Sequence, residues 1–216
     1  LEFSERMKKL LGEEFESYEK AVNSTPVRAF RVNTDKISIE EFDKINIFST
    51  EKIPYVENGF YFDYDKIGNH PYHHAGVIYV QEPGAMAPAE CIDIDHNWII
   101  LDMCAAPGGK STLCRSTLPE GSLLVANEVM RNRSQILAEN LIKWGHPDVI
   151  VTNNDPADFT SLTNLFDVVL TDVPCSGEGM FRKDEVAVEE WSVDNVDICW
   201  QRQRRILKDI WPALKP

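Results

Sequence analysis

Apolar residues Phe3, Met7, Leu10, Leu11, Phe15, Tyr18 and Val22 recur three and four positions apart, the spacing of one face of a helix. Pro26 lies just beyond its end. Arg28–Asn33 then alternates as a short strand does, a helix is predicted near Ser38–Lys44, and an aromatic strand near Gly59–Tyr64. These elements make residues 1–72 a small α+β N-terminal domain. The stretch Gly68–Gly76 is rich in turn formers and reads as a connector. No internal repeat or low-complexity tract interrupts the pattern.

From residue 73 to 216 the periodicity changes to strands alternating with helices. Strands are predicted at Trp98–Met103, Ser122–Glu128, Val149–Thr152 and Phe166–Asp172. Helices are predicted at Gly109–Leu118, at Arg131–Trp144 with Leu137, Leu141 and Trp144 on one face, and from Val193 onward, where Pro212 should end or kink the last one. Short apolar strands separated by helices imply a parallel sheet covered on both faces, an α/β fold. A ligand of such a sheet lies beyond the carboxyl ends of its strands.

The chemistry gathers at those ends. After the first parallel strand comes Asp102-Met-Cys-Ala-Ala-Pro-Gly-Gly-Lys110. The small residues Ala105, Ala106, Gly108 and Gly109 let a ligand approach the backbone, and the helix that follows points its first amides at it. Glu128 ends the second strand about twenty residues on, where an acid accepts from ribose hydroxyls. Asp155 follows the third strand and reads equally as an adenine contact or a helix cap. Asp172 ends the fourth. Three carboxylates repel a pyrophosphate and suit a cationic, ribose-bearing ligand, and the loop lacks the spacing of dinucleotide and P-loop binders. S-adenosylmethionine, with its sulfonium and ammonium charges, meets these demands.

Composition narrows the setting. The 216 residues carry a formal net charge of -13, with the acid excess in both halves, which argues against a nonspecific polyanion binder. Five cysteines without a disulfide framework fit a reducing compartment, and no apolar run reaches the length of a membrane span. A cytoplasmic setting is expected. His70, His73 and His74 lack companion ligands and read as loop residues, so no metal is expected. Cys91, Cys114 and Cys199 read as small buried hydrophobes. Cys175 differs, because it follows Asp172 and Pro174 in a glycine-rich loop at the ligand end of the sheet.

Residues 102–110 together with Asp172-Val-Pro-Cys-Ser-Gly-Glu-Gly179 resemble the signatures of the Sun-type RNA (cytosine-5)-methyltransferases, as do Arg31-Val-Asn33 and Tyr79-Val-Gln-Glu-Pro83. Within that family the pattern is similar to the bacterial members acting on small-subunit ribosomal RNA. The resemblance implies a Rossmann-like S-adenosylmethionine-dependent methyltransferase sheet. It implies cofactor contacts from Cys104, Ala105, Ala106, Pro107, Gly108, Gly109 and Lys110, then Glu128, Asp155 and Asp172. Carbon 5 of cytosine is a poor nucleophile, so a thiolate first adds to carbon 6 and is later eliminated. In this family the attacking cysteine sits in a Thr-Cys pair after the next strand. Cys175 is implied to assist breakdown of the adduct, and Asp172 to hold the exocyclic edge of the base.

No cysteine here stands in a Thr-Cys pair. The expectation is therefore a truncated sheet without its C-terminal strands, able to hold cofactor but not to transfer a methyl group. Its fourth strand should be an apolar edge that invites association, whereas the full-length protein should be a monomer. The expected partner is a structured RNA, such as ribosomal RNA, with a cytosine that can flip out, and no membrane. Arg182 and Lys183, just after the Cys175 loop, are the phosphate-contact candidates, with Arg28 and Arg31 adding contacts from the N-terminal domain. Phe181 either stacks on a base or fills the core. The basic residues of the last helix read as a solvated face. Two other readings stand: a methyltransferase for protein or small molecules, against which the Pro-Cys pair speaks, and a noncatalytic RNA-binding scaffold, which would bind no S-adenosylmethionine.

Overall fold

The computed structural model describes residues 2–92 and 97–216. In chain order its helices are α1 (Glu2–Leu11), α2 (Phe15–Val22), α3 (Ile39–Ile45), α4 (Pro71–His74), α5 (Ala87–Glu90), α6 (Gly109–Thr117), α7 (Arg131–Trp144), α8 (Glu185–Glu190) and α9 (Val193–Ile210). Its strands are β1 (Ala29–Val32), β2 (Ser49–Lys52), β3 (Gly59–Asp63), β4 (Ile78–Val80), β5 (Ile99–Asp102), β6 (Leu123–Asn127), β7 (Val149–Thr152) and β8 (Val168–Leu170). They form two compact units, one of residues 1–26 and 174–205, the other of residues 27–173 and 206–216.

The first unit is helical. The single helix predicted over Phe3–Val22 is two: Gly12 takes φ +53° and a 3-10 turn at Gly12–Glu14 separates α1 from α2. Left-handed backbone at that point is available to glycine at little cost. Phe3 meets Phe181 and Trp191 edge-on, with ring centroids 4.9 and 5.2 Å away. Glu178 accepts from Ser176 Oγ at 2.6 Å and Trp191 Nε1 at 2.9 Å, which fixes the segment after the Cys175 loop.

The second unit holds both sheets. The first is antiparallel in the order β2-β3-β1-β4. Every residue of its inner strand β1 is buried, and Phe30 packs among Phe42, Phe48, Phe60 and Phe62. A capping box between Ser38 and Glu41 starts α3. The antiparallel sheet runs past residue 72, because β4 pairs with β1 (Phe30 opposite Val80) and completes it. The predicted connector is instead a 3-10 turn at Ile67–Asn69 followed by α4.

The second sheet is entirely parallel, in the order β7-β6-β5-β8. Its strands follow the predicted runs closely, since strands covered on both faces are continuously apolar. Leu101, Met103, Val125, Phe166, Ile206 and Ile210 join one core cluster, and Ala105, Ala126, Leu137 and Leu141 another. The chain passes from β5 to β6 on one side and returns to β8 on the other. The carboxyl ends of β5 and β8 therefore flank a topological switch point, where such sheets bind ligands. Among the described strands β8 is an edge, as expected. It is only three residues long, each half-buried, and its approach is covered where Phe166 N–H donates to Ala213 O and Lys215 N–H to Phe166 O, both at 2.9 Å.

Candidate functional site

The glycine loop leaves β5 and enters α6, with Gly108 at φ +113°, a conformation that favours glycine. The surrounding protein takes up its carbonyls. Arg133 donates to Ala106 O at 2.9 Å, and Asn140 Nδ2 to Pro107 O at 2.8 Å, with Tyr79 Oη 3.3 Å from the same oxygen. Ala105 N–H donates to Asn127 O at the end of β6, 2.8 Å away. The loop is thus tied down from behind while the first amides of α6, which have no acceptor inside the helix, remain for something else.

In front of the loop lies a cavity of about 250 Å³ lined by Asp102, Cys104, Ala105, Ala106, Pro107, Gly109, Lys110 and Asp172. Its opposite wall is Tyr79, Val80, Gln81, Glu82 and Ala85, from the end of the antiparallel sheet. Lys110 Nζ reaches Asp172 Oδ2 at 2.7 Å and so links the ends of the two strands at the switch point.

Asp102 is the least expected member. It is 1% exposed. Its Oδ2 accepts from Ser111 Oγ at 2.7 Å, whereas its Oδ1 is buried without a partner. Burial pushes this carboxyl up to about 6; the Asp172 and Glu128 charges add to the effect, and Ser111 and Lys110 oppose it. Burial, together with the Asp102, Glu128 and Asp172 charges, also pushes the Cys104 thiol up to about 12. Cys104 therefore stays protonated at neutral pH and is no nucleophile there.

Seven of the predicted cofactor residues share this cavity, and Gly108 shapes the loop behind it. Glu128 is not part of its lining: the residue is 3% exposed, and its carboxylate accepts from Met130 N–H at 3.0 Å and lies 3.4 Å from Arg133. Asp155 caps the 3-10 turn Pro156–Phe159, accepting from Ala157 N–H at 3.0 Å. The Asp-Pro pair carried that signal, because proline at the first helical position follows a capping acid.

Cys175, Arg182 and Lys183 are exposed and belong to the helical unit. Cys175 stands three residues along the chain from Asp172. Arg28 is exposed, lies 3.0 Å from Asp63 and 3.7 Å from Asp65, and stacks over Phe62. Arg31 requires a correction: it is 0% exposed, so its guanidinium is closed to an RNA backbone and serves the interior instead. Cys91 requires another, for it is exposed rather than buried, while Cys114 and Cys199 are buried. Among the described residues no group of three or more His, Cys, Asp or Glu side chains is placed to hold a metal, and no helix is long and apolar enough to cross a membrane. Asp102 and the Tyr79–Glu82 wall are site residues that spacing alone does not single out, although both stand within the stretches that carry the resemblance.

Residues 1–83 match the family described as the N-terminal domain of 16S rRNA methyltransferase RsmF, and residues 89–216 match 16S rRNA methyltransferase RsmB/F. Ribosomal RNA small subunit methyltransferase F of Shewanella sp. (strain MR-7) is 36% identical over 206 residues, which cover 91% of this chain and 43% of that protein. The protein of the same name from Vibrio cholerae serotype O1 (strain M66-2) is 35% identical over 198 residues, covering 87% and 42%. The chain thus spans about two fifths of the length of these relatives. Among solved structures, a methyltransferase homolog protein from Pyrococcus horikoshii superposes with a TM-score of 0.84 at 30% identity, covering 99% of this chain and 69% of that one. NSun6 from Pyrococcus horikoshii with SFG superposes with a TM-score of 0.84 at 18% identity, covering 98% and 79%, and shares the fold. The parallel sheet is accordingly the Rossmann-like methyltransferase sheet expected from the sequence.

Proposed function

This chain belongs to the 16S rRNA methyltransferase RsmB/F family, and we propose from this premise that it forms the cofactor-holding part of an RNA cytosine-5 methyltransferase acting on small-subunit ribosomal RNA in the cytoplasm. One observation carries the reading: a glycine loop faces a carboxylate-lined cavity, and Asp102 in its wall has a buried oxygen without a partner. A buried acceptor without a donor is costly unless a ligand supplies one. S-adenosylmethionine fits this donor set, because its ammonium and sulfonium suit the acids and its carboxylate suits the open amides of α6.

In this reading Cys104 through Lys110 shape and line the seat of the amino-acid end. Asp102 Oδ1 accepts from the ammonium, Glu128 takes the ribose hydroxyls, and Asp155 lies on the adenine side. Asp172, steadied by Lys110, stands beside the reacting centre. The cofactor supplies an electrophilic methyl group when bound. The protonated Cys104 thiol takes no part in nucleophilic chemistry. Cys175, exposed in the loop after Asp172, has the role that the family resemblance implies for it, release of the adduct. Arg182, Lys183 and Arg28 meet RNA phosphates. Arg31 is withdrawn from that set.

The test is calorimetric. S-adenosylhomocysteine should bind the chain with a dissociation constant of roughly 1 to 100 μM, and Asp172→Ala should weaken it at least about tenfold. No heat at millimolar ligand would sink the assignment. In a longer polypeptide containing this chain and active on RNA, Cys175→Ser should accumulate a covalent RNA adduct, stable to denaturant. A variant that turns over normally with no adduct would remove Cys175 from the mechanism.

A further inference from the structure

Arg31 is a charged side chain among the largest that are fully buried, and no carboxylate among the described residues lies within ion-pair distance of it. Its partners are neutral. Nε donates to Gln81 Oε1 at 2.9 Å, and one terminal nitrogen donates to both Gly109 O at 2.9 Å and Thr112 Oγ1 at 2.6 Å. The guanidinium carbon lies 5.4 Å from the Tyr79 ring centroid and 5.1 Å from that of Trp144. Burial brings this guanidinium down to about 10, so it remains charged at neutral pH. A full charge hydrogen-bonded only to neutral acceptors, with its other terminal nitrogen buried and unpartnered and the Glu90 charge beyond ion-pair distance, is an expensive arrangement, and one of its bonds fixes a peptide group at the cavity.

That group is Gly109–Lys110. In a trans peptide the carbonyl and the following N–H point in opposite directions across the plane. Fixing Gly109 O toward Arg31 therefore turns the Lys110 N–H the other way. Gly109 and Lys110 both line the cavity, and Lys110 N–H is one of the α6 amides without an intrahelical acceptor. Two further features hold the same orientation. Thr112 Oγ1 lies 3.1 Å from Gly109 O. A Cβ on Gly109 would come within 3.1 Å of the Gln81 amide and press on the side chain that accepts from Arg31 Nε.

We propose that Arg31 is a positioning residue which aims the Lys110 amide into the cavity and so sets the affinity of the loop for the carboxylate end of its ligand. The inference rests on the cofactor reading above, but it concerns a residue on the far side of the loop that touches no ligand. It also places the antiparallel sheet within the binding machinery, since β1 supplies the strut.

The test compares wild type, Arg31→Lys and Thr112→Val in the 216-residue chain by calorimetry with S-adenosylhomocysteine and by backbone 15N relaxation without ligand. Lysine keeps the charge but cannot serve Gln81 and Gly109 as a planar fork. Arg31→Lys should bind about tenfold more weakly, the cost of leaving a buried partner unmade. The order parameter of its Lys110 amide should fall, while amides of β6 keep theirs. A merely structural role would lower order throughout and leave the affinity of the folded fraction unchanged, which would overturn the proposal. Where Arg31→Lys does not fold, Thr112→Val decides by the same two readouts, with an expected loss of about threefold. If the wild type binds no S-adenosylhomocysteine, the functional reading falls. The order of the Lys110 amide alone then judges the strut: a selective loss supports it, and unchanged order refutes it.

Discussion

Replacing Asp102 by asparagine is expected to stabilise the unliganded protein at neutral pH and to weaken its hold on S-adenosylmethionine. The two effects have one cause. Burial raises the Asp102 carboxyl from 3.8 to about 6, so the folded state binds this proton more tightly than the unfolded chain does. The stabilisation is complete below pH 3.8 and is lost as pH rises through about 6. At pH 7.5 the folded protein therefore carries a buried charge that costs up to about 3 kcal/mol at 1.36 kcal/mol per unit. The neutral amide removes that cost and can still accept from Ser111. Ligand binding runs the other way, because an ammonium prefers the ionised acid. Wild-type affinity should rise as pH climbs through 6, with Ser111, Lys110, Asp172 and Glu128 as the neighbours that tune the midpoint. The variant should lose about tenfold or more at pH 7.5 and show a flatter profile. Urea unfolding and calorimetry between pH 4.5 and 8 measure both, with the wild-type-minus-variant difference isolating this group. Parallel profiles for the two proteins would refute the assignment.

Gly76→Ala should be among the most damaging single changes to stability. Gly76 has φ +65°, and an added Cβ would drive into the Lys143 carbonyl and come 2.9 Å from Lys36 Nζ. Neither neighbour can withdraw freely. Lys36 Nζ donates to Ala75 O at 2.7 Å and Lys143 O at 2.6 Å. Asn33 Nδ2 bridges Gly76 O at 3.0 Å and Trp144 O at 2.8 Å. The left-handed backbone and the overpacking together are worth about 3 to 5 kcal/mol. Denaturant unfolding should show it; a loss under about 1 kcal/mol would mean that the joint between the antiparallel sheet and α7 yields more easily than its hydrogen bonds imply.

What was legible in the sequence followed from burial. The parallel strands and α7 announced themselves because their apolar residues had few other uses, and the resemblance motifs fell at the strand ends as expected. The strand β2, Ser-Thr-Glu-Lys, is mostly exposed and has no apolar alternation, so no pattern could mark it. The burial of Arg31 is hidden for the opposite reason. A strand buried on both faces gives a polar residue no solvent side, and the alternation around Arg28–Asn33 could not reveal that. Gly12 lay hidden within an unbroken helical spacing. The role of Asp102 depends on which carboxylate oxygen lacks a donor, a fact of three-dimensional pairing that spacing does not encode. The spacing allows Asp155 both an adenine contact and a helix cap, and its capping bond shows that a side chain at the ligand end of a sheet also has local work in the backbone.

The elevated Cys104 thiol has a consequence for chemical labelling. Maleimides and iodoacetamides react through the thiolate, so the sulfur in the cavity wall resists them at neutral pH. Cys91, solvent-accessible and absent from the cavity lining, accepts a dye or spin label in its place. The protein thus comes with an attachment point that leaves its binding hollow unmodified.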